Sequence, residues 1–193
     1  ARQLGVSIKA CNYMFPASRR GIDADHQFRL TPEQAASSTI YCYQRMHPEF
    51  PMGGASQITL DKLNQPPVIA NAKGFPCHAG KSGFWINWRG DFSACGMLPE
   101  PKMSLLEHSF AECWEQIVSF TSGVKLNEKC KACEKQNLCN FCPAACYAET
   151  GDVSGCPEYL CRLTDEKIRL FREDAEKAED KIIFLNSPNN EQG

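Results

Sequence analysis

The chain has 193 residues, 42% of them hydrophobic, and 21 Lys and Arg against 23 Asp and Glu, for a net charge of −2. That apolar share suffices for the core of one or two modest domains, and a near-neutral balance without a basic stripe excludes a general nucleic-acid binder. Twelve cysteines are far above ordinary usage, yet below the roughly 8–10% of short secreted disulfide scaffolds. The chain opens Ala1-Arg2-Gln3 without an apolar leader and holds no run of ~18 apolar residues able to span a bilayer. The expectation is a soluble cytoplasmic chain without membrane association, in which closely spaced cysteines are ligands rather than bridges. The missing initiator methionine points to a piece of a longer protein.

In chain order, Gly5 to Phe15 carries Val6, Ile8, Tyr13, Met14 and Phe15 before Pro16, the pattern of a strand entering a loop. Thr31-Pro32-Glu33-Gln34 combines a capping hydroxyl, a proline at the first helical position and a glutamine placed to reach back. A helix of roughly 15 residues is expected, ending before Pro48. From Pro48 to Pro76 the chain is rich in proline, glycine and asparagine, with only Ser56 to Leu63 plausibly helical, so a domain boundary is expected near 65–75.

Phe84-Trp85-Ile86-Asn87-Trp88 and Phe92-Ser93-Ala94-Cys95 flank Arg89-Gly90-Asp91, which predicts an aromatic hairpin around a glycine turn. The Arg-Gly-Asp tripeptide is turn chemistry rather than an adhesion signal, and the hairpin tryptophans are expected to cover a small core. Ser104 with Glu107 forms a second capping box ahead of Leu106, Phe110, Cys113, Trp114 and Ile117 at helical spacing. Cys113, inside that stripe, reads as a buried hydrophobe, as do Cys11 and Cys42. Thr164 is placed to cap a last helix with Leu163, Ile168, Phe171, Ala175, Ala178 and Ile182 along one side, before a disordered tail at 186–193.

The strongest signal lies between Cys130 and Cys146: Cys-Lys-Ala-Cys-Glu-Lys-Gln-Asn-Leu-Cys-Asn-Phe-Cys-Pro-Ala-Ala-Cys, five cysteines in seventeen residues. The pairs Cys130/Cys133 and Cys139/Cys142 have the two-residue gap that lets one short loop grip a metal centre with two thiolates, in zinc and iron-sulfur sites alike. Adding Cys77, Cys95 and Cys161, with Cys146 and Cys156 as further candidates, gives seven to nine thiolates, enough for two four-ligand sites. A hairpin brings its ends together, so Cys77 and Cys95 can share a centre. His78 beside Cys77 reads as an exposed loop histidine. Spacing alone does not separate iron from zinc. No Ser/His/Asp or Cys/His constellation and no phosphate-binding glycine loop is present.

The order Cys77, Gly90-x4-Cys95, Cys130-x2-Cys133-x5-Cys139-x2-Cys142 and Cys161 resembles the SPASM domain, the C-terminal extension of many radical SAM enzymes that modify peptides or proteins. The likeness covers about residues 75–165, and Tyr13-Met14-Phe15-Pro16 with Arg19-Arg20 resembles the end of the partial barrel that precedes SPASM. The resemblance implies an α+β fold: a small β-hairpin plus helices and a cysteine-rich metal-binding knot, preceded by a strand-helix remnant of a partial α/β barrel. It divides the chain into a barrel remnant and linker at 1–70, an iron-sulfur domain at 71–185 and the tail at 186–193.

It further implies two 4Fe-4S clusters, one held by Cys130, Cys133, Cys139 and Cys161 and the other by Cys77, Cys95 and Cys142. The departures from the family are specific: Cys142 arrives one position early, leaving Cys142 and Cys146 as rival ligands, and no cysteine follows Cys77 shortly. The hairpin cluster then has an open iron or recruits Cys146, Cys156 or a substrate group. The CxxxCxxC signature that holds the catalytic cluster is absent, Cys139, Cys142 and Cys146 giving the reverse order. S-adenosylmethionine cleavage is therefore expected only through a radical SAM catalytic domain, in the same or a separate chain. The remaining implied partners are a peptide or protein substrate and a reductant such as ferredoxin or flavodoxin, in the cytoplasm of an anaerobic bacterium. The implied role of the chain is electron relay or substrate positioning; the alternative is a zinc-stabilised structural or peptide-binding module, and a third reading, a secreted disulfide-rich protein, predicts no metal.

Overall fold

The computed structural model of the protein describes residues 4, 13, 29–46, 54–66, 74–139 and 141–185, apart from the side chains of 46, 55 and 179–185. The strand expected over Gly5–Phe15 (Tyr13 apart), the Arg19-Arg20 pair, Cys11 and the tail at 186–193 lie outside the described residues. The rest is α+β, with six α-helices and one three-stranded antiparallel sheet among the described residues. The described residues form two compact units: 29–46 and 54–66 with 161–185, and 74–139 with 141–160. No helix among the described residues is long and apolar enough to cross a membrane.

In the first unit, helix α1 (Pro32–Met46) begins as its sequence dictates. The Gln34 N–H donates to Thr31 Oγ1 at 3.2 Å and the Thr31 N–H to Gln34 Oε1 at 2.9 Å, a reciprocal cap that satisfies two donors which the first turn leaves open. The helix buries Ala35, Ala36 and Ile40. A short α2 (Gly54–Leu60) runs into a 3-10 turn, Asp61–Asn64, covering the segment expected to be helical. The long α6 (Glu158–Leu185) buries Leu163, Ile168, Phe171 and Ala175 at helical spacing. Asp174 on α6 accepts from Gln44 Nε2 on α1 (3.0 Å) and Ser56 Oγ on α2 (2.5 Å), and Arg162 pairs with Glu33 at 2.6 Å.

The start of α6 corrects the sequence expectation. Thr164 is no cap but a buried residue in the second turn, 4% exposed, because the helix begins six residues earlier, after Pro157. Pro157-Glu158 repeats the proline-acid entry of Pro32-Glu33, where a fixed φ and a carboxylate near the positive helix end both favour initiation.

In the second unit, β1 (Trp85–Ile86) pairs with β2 (Asp91–Ser93), and β3 (Lys102–Ser104) adds to the other side of β2. The hairpin turn has local causes: Asn87 Oδ1 accepts from the N–H groups of Arg89 (2.8 Å) and Asp91 (3.1 Å), and Gly90 takes the left-handed region at φ 80°. The Arg-Gly-Asp sequence thus has a complete structural explanation.

Strand β3 was not foreseen, and it displaces the second capping box. Ser104 lies opposite Asp91 in the sheet, while Ser109 caps α3 (Phe110–Gly123), its Oγ accepting from the Glu112 N–H as the Glu112 carboxylate accepts from the Ser109 N–H at 2.8 Å. The Ser109 N–H and, second, the Ser109 hydroxyl donate to the Glu112 carboxylate and hold it below its ordinary range. Both Ser-x-x-Glu pairs fit the local signature; pairing with β2 decides between them.

Helix α3 buries Cys113 and Ile117 into a core with Phe75, Phe92, Ala94, Leu98 and Ala144. Cys113 is fully buried there, the small hydrophobe its spacing implied. Phe84 stacks on Phe92 at 4.9 Å, and Phe110 meets both edge-on at 5.4 and 5.3 Å, so these rings seal the sheet. The tryptophans of the hairpin do not: Trp85 is 52% and Trp88 87% exposed, Trp88 instead carrying the Arg89 guanidinium 5.0 Å from its ring centroid.

Ser109→Ala should cost about 1 kcal/mol, the usual loss for an N-cap hydroxyl, whereas Glu107→Ala should leave stability unchanged. Urea unfolding of the two variants checks this; equal losses would return the cap to Ser104.

Candidate metal centre

Cys77 sits in a tight loop built around one carbonyl. The His78 C=O accepts from the N–H groups of Lys81 (3.0 Å), Ser82 (3.0 Å) and Gly83 (2.8 Å), and Lys81 Nζ donates to the Phe75 C=O at 2.7 Å. Gly80 makes the loop fit: φ is 67°, and a Cβ there would stand 2.0 Å from Thr121 Oγ1 on α3. The Cys77 and His78 side chains are exposed, and His78 Nδ1 lies 3.0 Å from Ser82 Oγ.

Cys95 follows β2, half-buried against the core, its C=O accepting the Leu98 N–H at 3.0 Å. The next residue must be small, since a Cβ on Gly96 would be 2.7 Å from Trp85 Cδ2. The indole of Trp85 therefore lies over the turn that carries Cys95, although it shields no core.

Cys142 is the N-cap of α5 (Pro143–Thr150), where Pro143 opens the helix, and it also packs against the hydrophobic core. Burial raises its thiol pKa above the ordinary value, and the neighbouring Cys95 and Cys77 raise it further. The open N–H groups of Ala145 and Ala144 pull the other way without closing a capping hydrogen bond. Cys95 and Cys77, far from Cys142 in sequence, are thus within electrostatic reach of it.

A second group surrounds Cys146, one helical turn after Cys142 and fully buried. Its thiol is pushed up to about 12, first by burial and then by Cys142, Cys139 and Cys156. Cys156 arrives there because the loop after α5 folds back: Gly151 ends the helix at φ 76°, Thr150 Oγ1 donates to the Cys146 C=O at 2.8 Å, and a Cβ on Gly155 would lie 2.0 Å from Thr150 Oγ1. Sequence spacing held the signal for this group, since Cys142-Pro143 marks a helix start and Cys146 falls on the same face one turn later.

Cys130 ends the first turn of the four-residue α4 (Glu128–Lys131), capped by Asn127, and Cys133 and Cys139 follow in turns; all three are half-buried. Cys161 lies near the start of α6, in the segment that belongs with the first unit. Cys130 and Cys161 are therefore both helical. No described cysteine is engaged in a disulfide. Among the described residues no three His, Cys, Asp or Glu side chains stand close enough to hold a single metal ion.

The donor set fits a thiophilic metal group, since the second unit gathers soft sulfur ligands and no carboxylate among the neighbours that perturb Cys142 and Cys146. Both thiols are neutral near pH 7 on their own, so a cationic centre that takes them as thiolates must displace their protons. Comparison of the chain with protein-family models, with curated proteins and with solved structures finds no match in any of the three.

The Cys146 thiol contributes a pH dependence of definite sign. Because its folded pKa of about 12 lies above the ordinary thiol value of about 8.5, its contribution to stability is complete below about 8.5 and is lost as pH rises toward about 12. The metal-free, reduced chain should show a falling urea midpoint across that window, with a shallower fall for Cys146→Ala. Parallel slopes in the two proteins would remove Cys146 as a cause.

Proposed function

We propose that the chain is an auxiliary 4Fe-4S cluster-binding module of the SPASM kind, working with a radical SAM catalytic domain that modifies a peptide or protein. The observation that supports this reading is that Cys95 and Cys77 both act electrostatically on the half-buried Cys142, and these are the three residues that the resemblance assigns to one cluster. They come from the loop before the hairpin, the turn after it and the cap of a helix 47 residues further on. The resemblance assigns Cys130, Cys133, Cys139 and Cys161 to the second cluster.

A bound 4Fe-4S cluster supplies one-electron redox chemistry, its potential set by exposure and by hydrogen bonds to sulfur. The part of the protein is to present ionisable thiols from braced turns and to limit their exposure. Cys142, half-buried at a helix start, and Cys77, on an exposed loop, give the hairpin group a wet side and a dry side. On that arrangement the module relays single electrons from a reductant such as ferredoxin or flavodoxin, or holds a donor group of the substrate at the wet side. Cleavage of S-adenosylmethionine belongs to the catalytic domain.

The test is anaerobic purification, reconstitution with iron and sulfide, and measurement of iron, sulfide and zinc per chain with visible and electron paramagnetic resonance spectra. About eight irons and about eight sulfides, with bands that bleach on reduction, are expected for two four-iron clusters. Cys142→Ala should lose about half the iron as one of two such clusters is lost, and Cys146→Ala should lose less. Colourless protein retaining about two zincs, each held by four thiolates, would replace the proposal with a structural zinc module. Iron loss confined to Cys146→Ala would transfer the ligand role from Cys142 to Cys146.

A further inference from the structure

Between Asn127 and Cys139 the chain is a run of exposed or half-buried residues with one exception: Gln136 is 5% exposed. Glutamine ordinarily stays at the surface, so its burial needs a cause. Its side-chain amide has two N–H donors, and both are used. Nε2 donates to the Cys130 C=O at 2.5 Å and to the Lys131 C=O at 2.7 Å. The other half of the amide is left over, since Oε1 is buried without a hydrogen-bond partner in the protein. A buried acceptor left unpaired is unfavourable, so the two donor bonds are what hold this side chain inside.

Those bonds fall at a particular place. The Cys130 C=O also accepts the N–H groups of Cys133 (3.3 Å) and Ala132, closing the Cys130–Cys133 turn. The Gln136 C=O in turn accepts the Cys139 N–H at 3.1 Å, alongside the bond from that N–H to the Lys135 C=O at 3.0 Å. Gln136 thus bonds to the backbone of Cys130 through its side chain and to that of Cys139 through its main chain. It fixes the separation of two turns that carry three cysteines, in a stretch with little apolar packing of its own.

We infer that Gln136 is a positioning residue of the candidate metal centre, bracing the Cys130–Cys133 turn against the turn that carries Cys139. The inference rests on the metal-binding role proposed above and adds to it a residue that is no ligand. Groups that orient metal ligands without touching the metal typically govern about 10- to 100-fold of metal affinity, and the Gln136 brace belongs to that class.

The experiment compares the full chain with Gln136→Met, which keeps length and drops both donors, and with Gln136→Glu, which keeps the shape and drops them too. Ile117→Val, in the core around α3, controls for general loss of stability. Two readouts are taken: hydrogen exchange over 130–139 in the reduced, metal-free chain, and loss of iron from the reconstituted chain to a competing chelator, with the paramagnetic resonance spectrum. The brace predicts faster exchange at Cys139 and about tenfold or greater loss of iron retention in both Gln136 variants, with a changed spectrum, and neither effect in Ile117→Val. Exchange and retention that match the Ile117→Val control overturn it, and so does faster exchange with unchanged retention and spectrum, which reduces Gln136 to a structural residue. A wild-type chain that takes up neither iron nor zinc overturns the proposed function instead. Gln136 is then judged by exchange alone, where an unchanged Cys139 amide overturns the brace.

Discussion

The desolvation of thiols at the start of α5 is the constraint on which the second unit turns. Cys142 packs against the core cluster that includes Phe92 and Ile117, and Cys146, one helical turn later, is fully buried. Burial disfavours the charged form of each, and their cysteine neighbours disfavour it again. Near pH 7 both stay protonated and pack as small hydrophobes, so the burial itself is no burden on the core. A cationic centre bound there would reverse the sign of the environment, because the same burial that penalises a lone thiolate strengthens its attraction to a metal.

Everything around these thiols works to hold backbone in place rather than to add apolar area. The Cys77 loop is closed on the His78 carbonyl and pressed to α3 through Gly80. The Cys95 turn has Trp85 over Gly96, the loop to Cys156 is strapped by Thr150, and the Cys130–Cys139 segment is crossed by Gln136. Each device orders a turn that hydrophobic burial alone would leave loose, and each spends a local hydrogen bond or a glycine to do so. Such pre-ordering lowers the conformational entropy lost when ligands are bound.

How much of this was legible follows from how local each cause is. Helix α1 was legible because Thr31, Pro32 and Gln34 decide its start without help from the rest of the chain. The hairpin was legible because Asn87 and Gly90 set its turn within five residues. The start of α3 was not, because Ser104 and Ser109 satisfy the same pattern and only the pairing of Asp91 with Ser104 separates them. The start of α6 was hidden because Thr164 fits a cap equally well, and only the fold places it inside a helix that begins at Glu158. Cysteine spacing named the candidate ligands, but which thiols neighbour which depends on the path of the chain between Cys95 and Cys142. Gln136 gave no signal at all, since nothing in a sequence distinguishes a buried glutamine from the exposed ones around it.

Cys142 belongs to both thiol groups, and that makes them interdependent. It is raised by Cys95 and Cys77 on one side and itself raises Cys146 on the other, so negative charge gained by either group raises the energy of charge in the other. The same coupling acts on any charge added later, including an electron, because it depends on distance and on the low polarity around α5 rather than on what carries the charge. Cys142 is therefore the position through which charge in one thiol group acts on the other.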